Sequence, residues 1–230
     1  MEKKIPYHLG LIIDGNRRWA REKNLPVFSG HKKGLENLER IGDYLLLKGV
    51  KILTVYVFSY ENWKRAEREV NFLMRLLLGA LSDRAVSKLH KKGVKINIIG
   101  SKEKLSSEVK KRIKIAQETT KDNKKGILNL AVSYSGRREI VSAVKKIIEE
   151  KISVEKITED FFEKFLYTEN MSHPDLIIRT GGEHRLSNFL IWQSAYSELY
   201  FSNKMWPSFN ERDIDKALID YSKRERRFGK

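Results

Sequence analysis

Apolar residues in this chain gather into short runs of strand length at Leu9 to Ile13, Ile52 to Phe58, Val94 to Ile99, Ile127 to Val132, Leu176 to Ile178 and Leu199 to Phe201. Between them, apolar positions recur at helical spacing over Gly34 to Leu47, Glu67 to His90, Lys104 to Thr120, Arg137 to Glu150 and Glu211 to Tyr221. Strands that alternate with helices predict an α/β fold: a central, mostly parallel six-stranded sheet flanked by helices on both faces. No repeat, low-complexity tract or Pro- or Ser-rich linker breaks the pattern, so residues 1–230 are expected to form a single domain.

Composition narrows the class. With 40% hydrophobic and 33% charged residues the chain has the balance of a globular protein. No apolar run approaches the ~18 residues of a membrane span, and the start Met-Glu-Lys-Lys lacks the apolar stretch of a signal peptide. The absence of cysteine excludes disulfides and thiolate metal sites, which fits a cytoplasmic protein whose metal, if any, is held by oxygen or imidazole. The net charge of +16 raises the question of a polyanionic partner. Much of the excess lies between residues 84 and 125, on a helical pattern whose lysines fall opposite Leu105, Val109, Ile113 and Ala116. Solvated helix faces explain such a run, with a nucleic acid or an anionic membrane surface as the alternatives.

Three strands are followed by loops that carry chemistry: Asp14-Gly15-Asn16-Arg17-Arg18-Trp19, then Ser59-Tyr60-Glu61-Asn62-Trp63-Lys64-Arg65, then Arg179 to Asn188. In open parallel sheets, the loops at strand C-terminal ends converge on one ligand crevice. Arg17, Arg18, Arg65, Arg179 and Arg185 delivered there would repel one another without a polyanion, and guanidinium forks suit diphosphate. Gly181-Gly182 could turn backbone N–H groups towards that anion. No phosphate-binding Gly-x-x-x-x-Gly-Lys-Ser/Thr loop occurs, so a nucleoside triphosphate fits less well. His31, after Gly30, reads either as a phosphate donor at a helix start or as a surface helix cap. Asp14 reads as a Mg²⁺ anchor or as part of an Asp-Gly-Asn turn, with Glu198 as the second metal candidate. Ser59 and Asn62 stand where a substrate proton could be handled, although neither is basic. Trp19 and Trp63 either stack on substrate or anchor their loops, and Phe72 to Leu81 is either a buried helix or one wall of an apolar channel.

These blocks, with Gly30-His31, Ser197-Glu198-Leu199-Tyr200-Phe201, Trp206-Pro207 and Arg224 to Gly229, resemble the cis-prenyltransferase family, the undecaprenyl and dehydrodolichyl diphosphate synthases. The similarity runs from His8 to the C-terminus. It implies a hydrophobic tunnel between helices and sheet, and repeated cis (Z) addition of isopentenyl diphosphate to an allylic diphosphate primer such as farnesyl or geranylgeranyl diphosphate. The expected product is a polyprenyl diphosphate that serves as precursor of a glycosyl carrier lipid. It implies Asp14 as the Mg²⁺ ligand with Glu198 assisting, and Asn62 and Ser59 as the residues that handle the lost proton. The allylic diphosphate would meet Gly15, Asn16, Arg17, Arg18, Trp19, His31, Ser59, Tyr60, Glu61, Trp63 and Arg65. Isopentenyl diphosphate would meet Arg179, Arg185, Leu186 and Ser187. The tail from about residue 223 holds Arg227-Phe228-Gly229, an Arg-x-Gly motif that implies a homodimer in which Arg227 and Gly229 reach a neighbouring site. A peripheral membrane contact is expected for a lipid product, and no nucleic acid.

Five positions depart from the family pattern and bear on the product. Arg17 replaces a usual Gly, Val27 a frequent Arg and Ala66 a frequent Pro, while Val57 and Val132 stand where Ala often lines the tunnel. Two rivals are a nucleic-acid-binding protein, which would bind with steep salt dependence, and a phosphatase or kinase, which would release phosphate without chain growth.

Overall fold

The computed structural model describes residues 4–225, which excludes the Arg227 and Gly229 of the expected tail motif. Six strands, β1 (His8–Ile12), β2 (Ile52–Ser59), β3 (Val94–Ile99), β4 (Gly126–Tyr134), β5 (Leu176–Arg179) and β6 (Glu198–Phe201), pair in the order β3-β4-β2-β1-β5-β6. Every pairing is parallel. The sequence places each strand to within two residues at either end, because short β-branched runs bounded by polar turns have few other solutions.

The helices depart further from expectation. α1 (Asn16–Glu22) forms where a loop is expected. α2 (Val27–Leu47) begins seven residues before the expected start, following Pro26, whose fixed φ suits a helix entry. The expected helix from Glu67 to His90 is two: α3 (Glu67–Ala80) and α4 (Asp83–Lys91). Ser82 separates them, its hydroxyl accepting from the Ala85 amide at 3.5 Å. α5 (Ser107–Thr120), α6 (Gly136–Glu149), a short α7 (Glu159–Glu163) and α8 (Glu211–Ser222) complete the set.

Alternation along the strands sends their side chains into two cores, beside a third small cluster of Ala143, Ile147, Phe162 and Leu166. Leu9, Leu11, Leu53, Val55, Leu130, Leu176 and Ile178 face the core built with α2 to α5 and α8, while Ile12, Tyr56, Ala131 and Ile177 face a smaller one that includes Tyr134, Phe189 and Leu190. The 84–125 run follows the solvated-face reading: in α5, Val109, Ile113 and Ala116 are buried while Lys110, Lys111 and Lys114 are exposed.

The topology also selects a position for ligands. From β1 the chain moves to β2 on one side, and from β4 it later crosses to β5 on the other. The loops after β1 and β5 therefore diverge at a switch point, the place where open parallel sheets leave a crevice.

Candidate active site

Asp14 follows β1 at that switch point. Its backbone carbonyl accepts from the Trp206 amide at 3.0 Å and the Thr180 hydroxyl at 2.8 Å, which holds the loop against β5 and the segment after β6. One carboxylate oxygen accepts from the Gly15 amide at 2.6 Å. The other takes Arg179 Nη2 at 2.9 Å and lies 3.6 Å from Arg18. Gly15 has φ 104, and a Cβ there would approach Met205 to 2.9 Å, so this turn requires glycine.

α1 carries Arg17, Arg18 and Arg21 to the edge of a cleft of about 660 Å³, which His31, Ser59, Asn62, Arg65, Arg179 and Ser187 also line. His31 reaches it because α2 packs unusually close: a Cβ on Gly30 would lie 2.0 Å from the Asn16 carbonyl oxygen. The histidine is buried in the second turn of α2, not at the helix start and not on the surface as a cap.

Glu69, on the first turn of α3, organises these cations. Its carboxylate accepts from Arg65 Nη1 at 2.9 Å and pairs with His31 Nε2 at 3.2 Å, and Arg17 lies 3.8 Å away. Burial lowers the His31 pKa from its ordinary value, against the opposing pull of Glu69, and Arg65 and Arg17 lower it further. Burial also pulls Arg65 below its ordinary value, and Glu69 opposes this. Sequence reasoning passed over Glu69; the available signal was its helical i,i+4 spacing from Arg65.

Across the cleft, Arg179 is 4% exposed and donates through Nη1 to the Arg185 carbonyl and, at 2.8 Å, to Ser187 Oγ. Two buried polar atoms at the site have no partner among the described residues: Arg179 Nε and Asn16 Oδ1. Glu61 accepts from Asn188 at 2.9 Å and ties the second and third loops together.

Two apolar cavities adjoin the cleft in series. Ile13, Asn16, His31, Val57 and Leu73 line both the cleft and a cavity of about 80 Å³. Leu35, Leu38, Ala80 and Leu130 line both that cavity and a deeper one of about 120 Å³. Leu73, Met74, Leu76 and Leu77 of the Phe72 to Leu81 segment line the first of these cavities, so the segment is a cavity wall, with Leu77 and Leu81 also in the core. Val57 lines the cleft and the first cavity, whereas Val132 is buried and lines none of these cavities.

Several expected site residues lie elsewhere. The Arg185 side chain is 61% exposed and pairs with Glu183 at 2.5 Å, while its carbonyl accepts from Arg179. Leu186 packs on the smaller core. Trp19 donates to Ser208 at 2.8 Å, and Trp63 donates to Ser133 at 2.8 Å while packing edge-on against Phe58, so both anchor loops. Tyr60 lies under the Arg138 guanidinium, 3.8 Å from the ring centroid. The Gly181 and Gly182 amides donate to the Lys204 and Ser202 carbonyls at 2.9 Å and are not turned to an anion. Glu198 begins β6 in register with Leu176 and, through it, Leu9. It thus lies at the opposite end of the strands from Asp14, roughly 10 Å below Phe201 at ~3.3 Å per residue, and it pairs with Arg224 at 2.7 Å. Asn62 Oδ1 accepts from the Ser59 amide at 3.1 Å, so these two residues hold one another at the cleft wall.

Comparison with known proteins shows the family. The prenyltransferase family model described as "Putative undecaprenyl diphosphate synthase" matches residues 12–229. The isoprenyl transferase of Clostridium perfringens is 48% identical over 233 residues, covering 100% of this chain and 92% of that protein. The ditrans,polycis-undecaprenyl-diphosphate synthase ((2E,6E)-farnesyl-diphosphate specific) of Legionella pneumophila is 43% identical, covering 100% and 98%. The crystal structure of lavandulyl diphosphate synthase from Lavandula x intermedia in complex with dimethylallyl diphosphate superimposes with a TM-score of 0.94 at 36% identity, covering 98% of this chain and 99% of that one.

Proposed function

Because the chain belongs to the undecaprenyl diphosphate synthase family of prenyltransferases, we propose that it lengthens an allylic diphosphate by successive cis additions of isopentenyl diphosphate in the cleft beside Asp14. The observation that carries this reading is an arginine-lined cleft that shares a wall with an apolar cavity. A substrate with a diphosphate head and a hydrocarbon tail matches that sequence of environments.

In this reading Arg17, Arg18, Arg65 and His31 take the primer diphosphate, and Arg179 with Ser187 takes that of isopentenyl diphosphate. Positive groups already fixed by Glu69 and Asp14 meet the charge that develops as the primer diphosphate departs, with little reorganisation. Ser59 and Asn62 stand at the wall from which the proton is lost after the carbon–carbon bond forms. The donor set fits Mg²⁺, which takes one or two carboxylates and completes its shell with phosphate oxygens and water. Asp14 would hold the ion, which when bound neutralises part of the charge on the leaving diphosphate. Glu198 would assist only from a second copy of the chain, since within one chain it lies at the far end of the sheet.

The homodimer, a cytoplasmic location and peripheral membrane contact belong to the same proposal; among the described residues no helix is long and apolar enough to cross a membrane. Incubation of the purified protein with labelled isopentenyl diphosphate, Mg²⁺ and farnesyl, geranylgeranyl or shorter primers, followed by sizing, tests it. A ladder of cis-polyprenyl diphosphates is expected. No incorporation with any primer would overturn the reading.

A further inference from the structure

The deeper cavity is walled on its outer side by α2 and α4, which face each other across it with Leu38, Gly42 and Leu45 on one and Ala85 and Leu89 on the other. The surface above this apolar gap is spanned by two ion pairs, Lys88 to Glu39 at 3.2 Å and Lys92 to Asp43. Glu39 and Asp43 are one turn apart, as are Lys88 and Lys92, so the pairs form two rungs of one seam.

Three observations make this seam unlike an ordinary helix contact. The rungs are weak, with side chains from 31% to 56% exposed, and such pairs contribute only about 0–1 kcal/mol each. Gly42 stands inside a 21-residue helix, where glycine costs about 1 kcal/mol relative to alanine. No close neighbour requires it: a Cβ there would meet only Leu53 Cδ2, at 3.8 Å. Its effect is to keep the space beneath the seam open.

Length supplies the reason for a movable wall. His31 borders the cleft and Leu46 the far end of the deeper cavity, and fifteen helical steps along α2 between them span about 22 Å. With C–C bonds of ~1.5 Å, an isoprene unit advances at most about 5 Å when extended and about 4 Å when its double bond is cis. About 22 Å therefore holds about five cis units, fewer than a long polyprenyl product contains.

We propose that the α2–α4 seam is a lateral gate: the growing chain parts the Glu39–Lys88 and Asp43–Lys92 rungs and emerges between the helices, so the seam sets the product length. This rests on the prenyl-transfer reading above.

Since the chain contains no cysteine, the pair Glu39→Cys and Lys88→Cys can be joined selectively with a bis-maleimide in the full-length protein. The products of joined and unjoined samples of the same preparation are then sized, and the first condensation onto the primer is measured separately. The expected result is loss of the longest products in the joined sample with the first condensation kept. Glu39→Gln with Asp43→Asn shifts the ladder towards longer products. Identical ladders in joined and unjoined samples, or loss of the first condensation on joining, overturn the gate. Absence of any condensation by the unmodified protein overturns the prenyl-transfer reading instead.

Discussion

Two polar regions occupy the same sheet and treat their polar groups in opposite ways. Around Asp14, at the C-terminal ends of the strands, five arginines border a cleft in which Asp14 and Glu61 are the acidic lining residues. Arg179 Nε and Asn16 Oδ1 are left without partners. Nearer the N-terminal ends, His8, Thr54, Asn129 and Asn97 form a neutral ladder. His8 Nδ1 donates to the Ser172 carbonyl at 2.6 Å, the Thr54 hydroxyl donates to Nε2 at 2.7 Å, Asn129 donates to Thr54 at 2.9 Å and Asn97 to Asn129 at 3.1 Å. Burial of polar residues is thus a poor guide to function by itself. The ladder is complete and has nothing to offer a ligand, whereas the cleft holds surplus charge and, at Arg179 Nε, an unmade donor hydrogen bond that a diphosphate oxygen would accept.

The sharpest break of this comparison is Asp14→Ala. Turnover should fall by on the order of 10²-fold or more, while the fold persists, because the loop is also held through the Asp14 backbone carbonyl. Calorimetric titration with inorganic diphosphate should show binding retained, since removing the carboxylate frees Arg179 and Arg18. Loss of binding together with turnover would mean that Asp14 shapes the cleft and does not act within it.

Glu69→Gln is a smaller perturbation. A charge-assisted hydrogen bond contributes about 1.5–3 kcal/mol, so loosening Arg65 and His31 should raise KM for the allylic primer by roughly tenfold, with a lesser change in kcat. Glu69→Asp should restore part of it. An unchanged KM would show that the cations are positioned without this carboxylate.

At the ladder the expected effect is on stability alone. Burial lowers the His8 pKa from 6.5 to about 4. A depressed histidine contributes stability that is present above pH 6.5 and lost as pH falls towards 4, at most roughly 3 kcal/mol. His8→Gln should flatten the denaturation midpoint over that window while leaving turnover at neutral pH unchanged. A variant that keeps the parent's acid sensitivity would place its origin elsewhere.

The strands were legible because a buried parallel strand must be a short apolar run. The α2 start was not, because the apolar spacing is clear only from Gly34 onward, and the role of Gly30 and Gly34 as close-packing positions against Asn16 exists only in three dimensions. Asp14, Arg17, Arg18, Arg65 and Arg179 could be picked out because they follow strands, and topology brings strand ends together. Arg185, Tyr60, Trp19 and Trp63 occupy the same loops but point elsewhere, since loop position does not specify side-chain direction. The Glu39–Lys88 rung was invisible for the converse reason, and Glu69 offered only its spacing from Arg65: on a helix of ordinary surface composition, an acidic residue acquires meaning from what packs opposite.

By itself, then, the order of residues determined the α/β class, the six parallel strands and the loops that carry the cations, since each follows from local periodicity and strand-end position. Only the tertiary structure decided which of those cations face one cleft, that Glu69 holds them, that Glu198 lies at the other end of the sheet, and that apolar cavities lie in series between the cleft and a seam of ion pairs. These depend on helix-to-helix approach and side-chain direction, which are set by contacts between residues far apart in the chain.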